Sequence, residues 1–192
     1  KFHAHLVHSA NGFQAAGKPP VIFLGDSITE SWLGTSGGIE SARTNGVPAV
    51  LDQWAATAGF APLVLAISGD QTQHLLHRLA DGELTPAVAA MTNATFIMMI
   101  GTNNIGRGHL PGPTVEGVRA VANYTLAHTK GRLLLLGLLP RGDGSRKLHR
   151  LCPPRCSDDG TPFSSFMPAV DKVNDALREF VGPELKGIYG ES

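Results

Sequence analysis

Short, continuously apolar runs recur along the chain, separated by longer stretches in which apolar residues return every three or four positions. The runs are VIFLG (21–25), PLVLAIS (62–68), TFIMMIG (95–101) and RLLLLGLLP (132–140), with KGIYG (186–190) a weaker fifth. They are too short and too evenly apolar for surface helices, which predicts strands buried on both faces, as in a parallel sheet. Between them lie VPAVLDQWAATAGF, QTQHLLHRLADGEL, TVEGVRAVANYTLAHT and FSSFMPAVDKVNDALREF, where Leu75, Leu76 and Leu79, or Val170, Val173 and Leu177, stand at helical spacing. Strand alternating with helix predicts one doubly wound, three-layer α/β/α domain over residues 1–192, with a mostly parallel five-stranded sheet. The segment LPRGDGSRKLHRLCPPRCSDDGTP (139–162) breaks the alternation. Its Gly, Pro, Asp and Ser content predicts a surface loop over 142–162.

Composition narrows the partner. The 192 residues are 42% hydrophobic and 17% charged, enough apolar content for one sizeable core. Sixteen Lys and Arg balance 16 Asp and Glu, and no basic run suggests nucleic acid or an anionic membrane. A small or neutral partner is expected instead. No apolar stretch reaches the roughly 18 residues of a spanning helix. Lys1 opens the chain without an initiator Met or a signal-peptide pattern, so a processed or trimmed start is expected.

Three of the predicted strands end in residues that carry chemistry: Gly25-Asp26-Ser27, Ser68-Gly69-Asp70 and Gly101-Thr102-Asn103-Asn104. In a parallel sheet these carboxyl ends share one edge, where such folds bind ligands. A serine hydroxyl there can attack a carbonyl, while a backbone N–H at glycine and an asparagine amide can donate to the oxyanion that forms. Glycine suits the donor position because substrate can approach its backbone closely. Asn103 offers a neutral donor without the desolvation cost of a buried charge.

The blocks GDSITESW, AISGDQTQHLLHRL, MMIGTNNIG and LLGLLPRG, in this order, resemble those of the SGNH (GDSL-type) hydrolases. GDQTQHLLHRL and LLPRG are most similar to the platelet-activating-factor acetylhydrolase-like branch, and the match runs from Val21 to Leu185. The resemblance implies a flavodoxin-like fold and ester hydrolysis with neither metal nor organic cofactor. Carried over block by block, it makes Ser27 the nucleophile and Gly69 and Asn103 oxyanion donors, joined by the Ser27 N–H, with Asp26 shaping the turn.

The family places the acid and base of its triad in a late Asp-x-x-His block before the final helix, and residues 1–192 contain no such block. Without a base a serine hydroxyl is a poor nucleophile near neutral pH. Truncation after Ser192 is the favoured expectation, because a doubly wound domain lacking its last helix leaves a sheet face partly uncovered. The alternative is a relative that has lost catalysis and serves as a binding or structural component of a larger assembly. A third option moves a histidine into the role, but His74 and His77 read as helix-surface residues or pocket walls.

Other features have ordinary readings. Asn104 is read as structural, Trp32 and Trp54 as core or rim packing, and Arg141 as a surface arginine at a strand end that could line the crevice. His3, His5 and His8 cluster near the start, and His149 neighbours Cys152 and Cys156, yet neither group has the paired spacing of a zinc site. The two cysteines can be a disulfide or free thiols. Two glycosylation sequons, Asn93-Ala94-Thr95 and Asn123-Tyr124-Thr125, together with the cysteine pair tilt the expectation toward secretion or the cell surface. The expected activity is hydrolysis of a short acyl ester, acetyl foremost, of a sugar, lipid or related alcohol through an acyl-Ser27 intermediate.

Overall fold

The computed structural model describes residues 1–142, 145–151 and 160–182. In chain order the elements are α1 (Phe2–Gly12), β1 (Pro20–Gly25), α2 (Ser27–Glu30), β2 (Thr35–Ser36), β3 (Ile39–Glu40), α3 (Val47–Ala58), β4 (Ala61–Ala66) and α4 (Thr72–Arg78). They continue with α5 (Pro86–Ala89), β5 (Thr95–Met99), α6 (Thr102–Gly106), α7 (Pro111–His128), β6 (Arg132–Leu135), α8 (Ser145–Arg150) and α9 (Met167–Val181).

The chain divides into two compact units, Lys1–Ile100 with Ala120–Leu136, and Gly101–Arg119 with Gly137–Ser192. The first holds the whole main sheet, four parallel strands in the order β4-β1-β5-β6. Numbering only these strands, the order is 2-1-3-4, which is flavodoxin-like, with the order of strand addition reversing between β1 and β5. The expected fifth strand, 186–190, lies outside the described residues, so the sheet has four strands among those described. The run at 132–140 forms a strand only to Leu135, after which Leu136 adds one further hydrogen bond to Met98.

Pleating sorts the apolar strand residues between two faces. Phe23 pairs with Val64 and Ile97 in register, and that face packs against Leu51 and Ala55 of α3, Phe60 and Trp32. Ile22, Leu24, Leu65, Phe96 and Met98 on the alternate positions are fully buried. With both faces covered, the strands have no polar alternation, which is why they read as continuous apolar runs. Helix α1, which the sequence pattern did not mark, buries Leu6 and Ala10 and lies against β4.

In the second unit, α9 is strongly amphipathic and buries Ala169, Val170, Val173 and Leu177. Residues 145–150, expected in a surface loop, form α8 instead. Leu148 is the reason visible in the structure, since it is buried to 2% exposure and gives a short polar helix an inward anchor.

Candidate active site

Ser27 is the first residue of α2, directly beyond the carboxyl end of β1. Buried Asp26 starts that helix: its carboxylate accepts the Ile28 N–H at 3.1 Å, and its carbonyl accepts the Glu30 N–H at 2.7 Å. Gly25 makes the tight passage possible. A methyl group there would collide with the Thr29 side chain and lie 2.7 Å from the Met99 carbonyl oxygen. The turn thus buries its acid and leaves Ser27 half-buried beside an exposed Ile28.

Gly69 lies beyond the end of β4, the strand paired with β1. The Asp70 N–H returns to the Ile67 carbonyl at 3.2 Å, and Gly69 has φ +87°. Both are features of a type II turn, whose third residue needs positive φ. That turn uses neither the Ser68 nor the Gly69 N–H. The Ser68 N–H goes to Glu30 Oε2 at 2.6 Å, and the Gly69 N–H takes no hydrogen-bond acceptor among the described residues.

Glu30 was not among the expected site residues. It is fully buried and accepts four hydrogen bonds: Thr35 Oγ1 and the Gly38 N–H on Oε1 at 2.7 and 2.8 Å, the Gly37 N–H and the Ser68 N–H on Oε2 at 2.9 and 2.6 Å. Burial alone would raise its pKa, but the Gly38 N–H, Thr35, Ser68 and the Gly37 N–H outweigh it and hold the carboxyl below its ordinary value. Arg78 was missed as well. Buried, it donates from Nε to Asp70 at 2.7 Å, pairs with buried Glu83, and reaches the Gly25 carbonyl at 3.5 Å. Burial pushes the Asp70 carboxyl above its usual range, with Arg78 pulling it the other way. The only sequence signal for these residues is negative: charged side chains three and nine positions beyond a strand-end serine or glycine read as solvated unless their partners are known.

Asn103 belongs to the second unit, in the first turn of α6, which follows Gly101 at φ +125°. Arg141 ties down the start of that helix, donating to the Thr102 carbonyl at 2.8 Å and to its hydroxyl at 3.1 Å, with its guanidinium 5.3 Å from the Phe166 ring centre. It is a half-buried clamp on α6 rather than a loose surface charge. Asn104 is buried, and its amide lies 3.4 Å from His109 Nδ1.

The other candidates have local occupations. His74 accepts the Gln71 N–H at 3.1 Å in a capping box at the start of α4, while His77 is exposed on that helix. His3 meets Glu83 at 2.9 Å and the Asp81 carbonyl at 3.1 Å, whereas His5 and His8 are exposed. Trp32 and Trp54 join Phe23 and Phe60 in one aromatic cluster, the closest pair being Trp54 and Phe60 with ring centres 5.0 Å apart. His149 is exposed on α8, and Cys152 and Cys156 lie outside the described residues.

The model of the GDSL-like lipase/acylhydrolase family matches residues 23–184. The chain belongs to this family. Among curated relatives, the platelet-activating factor acetylhydrolase IB subunit alpha1 of Bos taurus is 28% identical over 163 residues and that of Homo sapiens 30%. Each alignment covers 79% of this chain and 59% of the relative, so the chain spans less than two thirds of those proteins. Of solved structures, a member of the lipolytic G-D-S-L family from Veillonella parvula matches with TM-score 0.56 and 18% identity, covering 84% of this chain and 72% of that one. A variant of an acetyl-xylooligosaccharide esterase from Geobacillus gives TM-score 0.53 and 16% identity over 88% of this chain and 73% of that one. These likenesses show the SGNH fold, in agreement with the sheet order described above.

Proposed function

We propose that the protein is a serine esterase that transfers a short acyl group, acetyl foremost, from a sugar, lipid or related alcohol to Ser27 and then to water. The observation that carries this reading is the pair of adjacent strand-end turns. One starts a helix at Ser27 behind the Asp26 cap, and the other leaves the Gly69 N–H without an acceptor among the described residues. The acetyl preference is supported by the names of the acetylhydrolase and acetyl-xylooligosaccharide esterase relatives.

In this reading the Ser27 Oγ attacks the acyl carbon and its proton passes to a general base. The carbonyl oxygen becomes an oxyanion that accepts from the N–H groups of Ser27 and Gly69, with the Asn103 amide as the further donor implied by the family's third block. Collapse expels the alcohol, which takes up a proton, and water then releases the acid and regenerates Ser27. The base is expected from an Asp-x-x-His block, a motif that residues 1–192 do not contain. The reaction needs nothing from a metal or organic cofactor.

The test uses the complete product of the open reading frame, assayed on p-nitrophenyl acetate and on an acetylated sugar. Ser27→Ala is expected to remove turnover, and Asn103→Ala to lower kcat by about 10²–10³. Turnover equal in wild type and Ser27→Ala would reject the esterase and leave a silent binding module of the same fold. As to compartment, we propose secretion or the cell surface. Both sequon asparagines, Asn93 and Asn123, are exposed as glycan acceptors must be, and a glycosidase-sensitive mass increase in a secreting host checks it.

A further inference from the structure

We propose that Glu30 is a positioning residue for the esterase site, fixing the turn that presents the Gly69 N–H relative to the helix that presents Ser27. This deepens the reading above and rests on it.

Glu30 lies one helical turn from Ser27 on α2, and the residues flanking Ser27 hold that turn: Ser31 Oγ donates to the Ser27 carbonyl at 2.8 Å and the Glu30 N–H to the Asp26 carbonyl at 2.7 Å. From that helix its carboxylate crosses to the end of β4 and accepts the Ser68 N–H at 2.6 Å, one peptide before Gly69. The same oxygen takes the Gly37 N–H, and the other takes Gly38 and Thr35, so the short β2–β3 hairpin is drawn to the same point. A contact between Ser36 Oγ and Ser68 Oγ at 3.1 Å adds a second link between hairpin and turn.

A neutral side chain cannot replace this arrangement. Four donors converge on a group that is 0% exposed, and a carboxylate alone offers acceptors on both oxygens with no hydrogen of its own. Glutamine has the same shape but turns one acceptor into an NH₂ that faces donors. An oxyanion donor acts through pre-set geometry, so a loosened turn weakens transition-state binding more than substrate binding.

The experiment compares Glu30→Gln with Thr35→Val in the complete protein. Thr35→Val takes one donor from Oε1 and leaves the Ser68 N–H on Oε2. Hydrogen exchange of backbone amides is followed by NMR, and kcat and KM are measured on p-nitrophenyl acetate. The expectation for Glu30→Gln is faster exchange at Ser68 and a kcat reduced roughly tenfold to a hundredfold with KM within about threefold, the scale set by misplacing a reacting geometry. Thr35→Val is expected to keep kcat within about threefold of wild type, because the Ser68 N–H keeps its acceptor. Unchanged Ser68 exchange in Glu30→Gln, or equal falls of kcat in both variants, would overturn the proposal. If wild-type turnover does not depend on Ser27, it is the esterase reading that fails and Glu30 has no oxyanion donor to position. The exchange data then still decide whether it holds the turn.

Discussion

Arg78 and Asp70 form a buried ion pair, Nε to Oδ2 at 2.7 Å, and the same guanidinium also faces Glu83 and the Gly25 carbonyl. One cation therefore neutralises two buried acids and touches the strand end that precedes Ser27. Arg78→Met fills similar space and takes the guanidinium from both carboxylates, leaving Glu83 its contact with His3 and Asp70 the nearby His74. A loss of about 3–5 kcal/mol in urea unfolding is expected. A loss under about 1 kcal/mol would mean that the acids find other partners or protonate without cost.

The two site carboxylates give opposite pH signatures. Glu30 has a folded pKa below its ordinary value of 4.5, so its contribution to stability is complete above that value and is lost as pH falls through the folded pKa. Asp70 has a folded pKa above its ordinary 3.8, so its contribution is complete below 3.8 and is lost as pH rises through the folded value. The gap in stability between wild type and Glu30→Gln should therefore hold above pH 4.5 and narrow as pH falls below it. Chemical melts at several pH values check this, and a gap that widens on acidification contradicts it.

Gly25 and Gly69 should respond differently to alanine. At Gly69 a methyl group meets nothing within 4 Å, so the cost is the positive φ alone, about 1–2 kcal/mol. At Gly25 it meets the Thr29 side chain and the Met99 backbone, and the turn before Ser27 must shift. Gly25→Ala should cost about 1–3 kcal/mol and displace the serine as well. Thermal melts give the stabilities, and activity of the complete protein should fall further in Gly25→Ala than its melt predicts.

Asn174 carries a separate prediction in the second unit. Its side chain accepts the Leu138 N–H at 2.7 Å and donates to the Leu138 carbonyl at 3.0 Å, acting as a one-residue strand partner. Asn174→Ala leaves both backbone groups unsatisfied and should cost about 1–3 kcal/mol. Asn174→Asp keeps the acceptor and loses the donor, and urea titration should place it between wild type and alanine.

What could be read from the sequence follows from what each interaction leaves in it. Buried parallel strands write themselves as apolar runs, so β1, β4, β5 and β6 and their order along the chain were legible. Helix α1 was not, because its buried face is only Leu6 and Ala10 among histidines that draw attention as ligands. The position of Ser27 after a strand was legible because Gly-Asp-Ser is a turn signal in one contiguous piece. Glu30 and Arg78 were not, since each acquires its role from partners far along the chain, Ser68 in one case and Gly25 in the other. Helix α8 was hidden by its glycine- and proline-rich flanks, and its single apolar residue, Leu148, is too weak a signal for a helix.

The register of β1 sets an order of events during synthesis. Gly25 pairs with Ala66 on one side and Met99 on the other, so the strand that leads into Ser27 has neither neighbour when it leaves the ribosome. Closing those loops costs entropy before any pairing repays it, and parallel pairing is slow for that reason. Arg78, which reaches the Gly25 carbonyl, also arrives after it. A nascent chain ending before Met99 thus holds an apolar VIFLG segment with an open edge, the kind of segment a chaperone binds. The serine turn near the start of the chain is completed only once β5, more than seventy residues later, has been made.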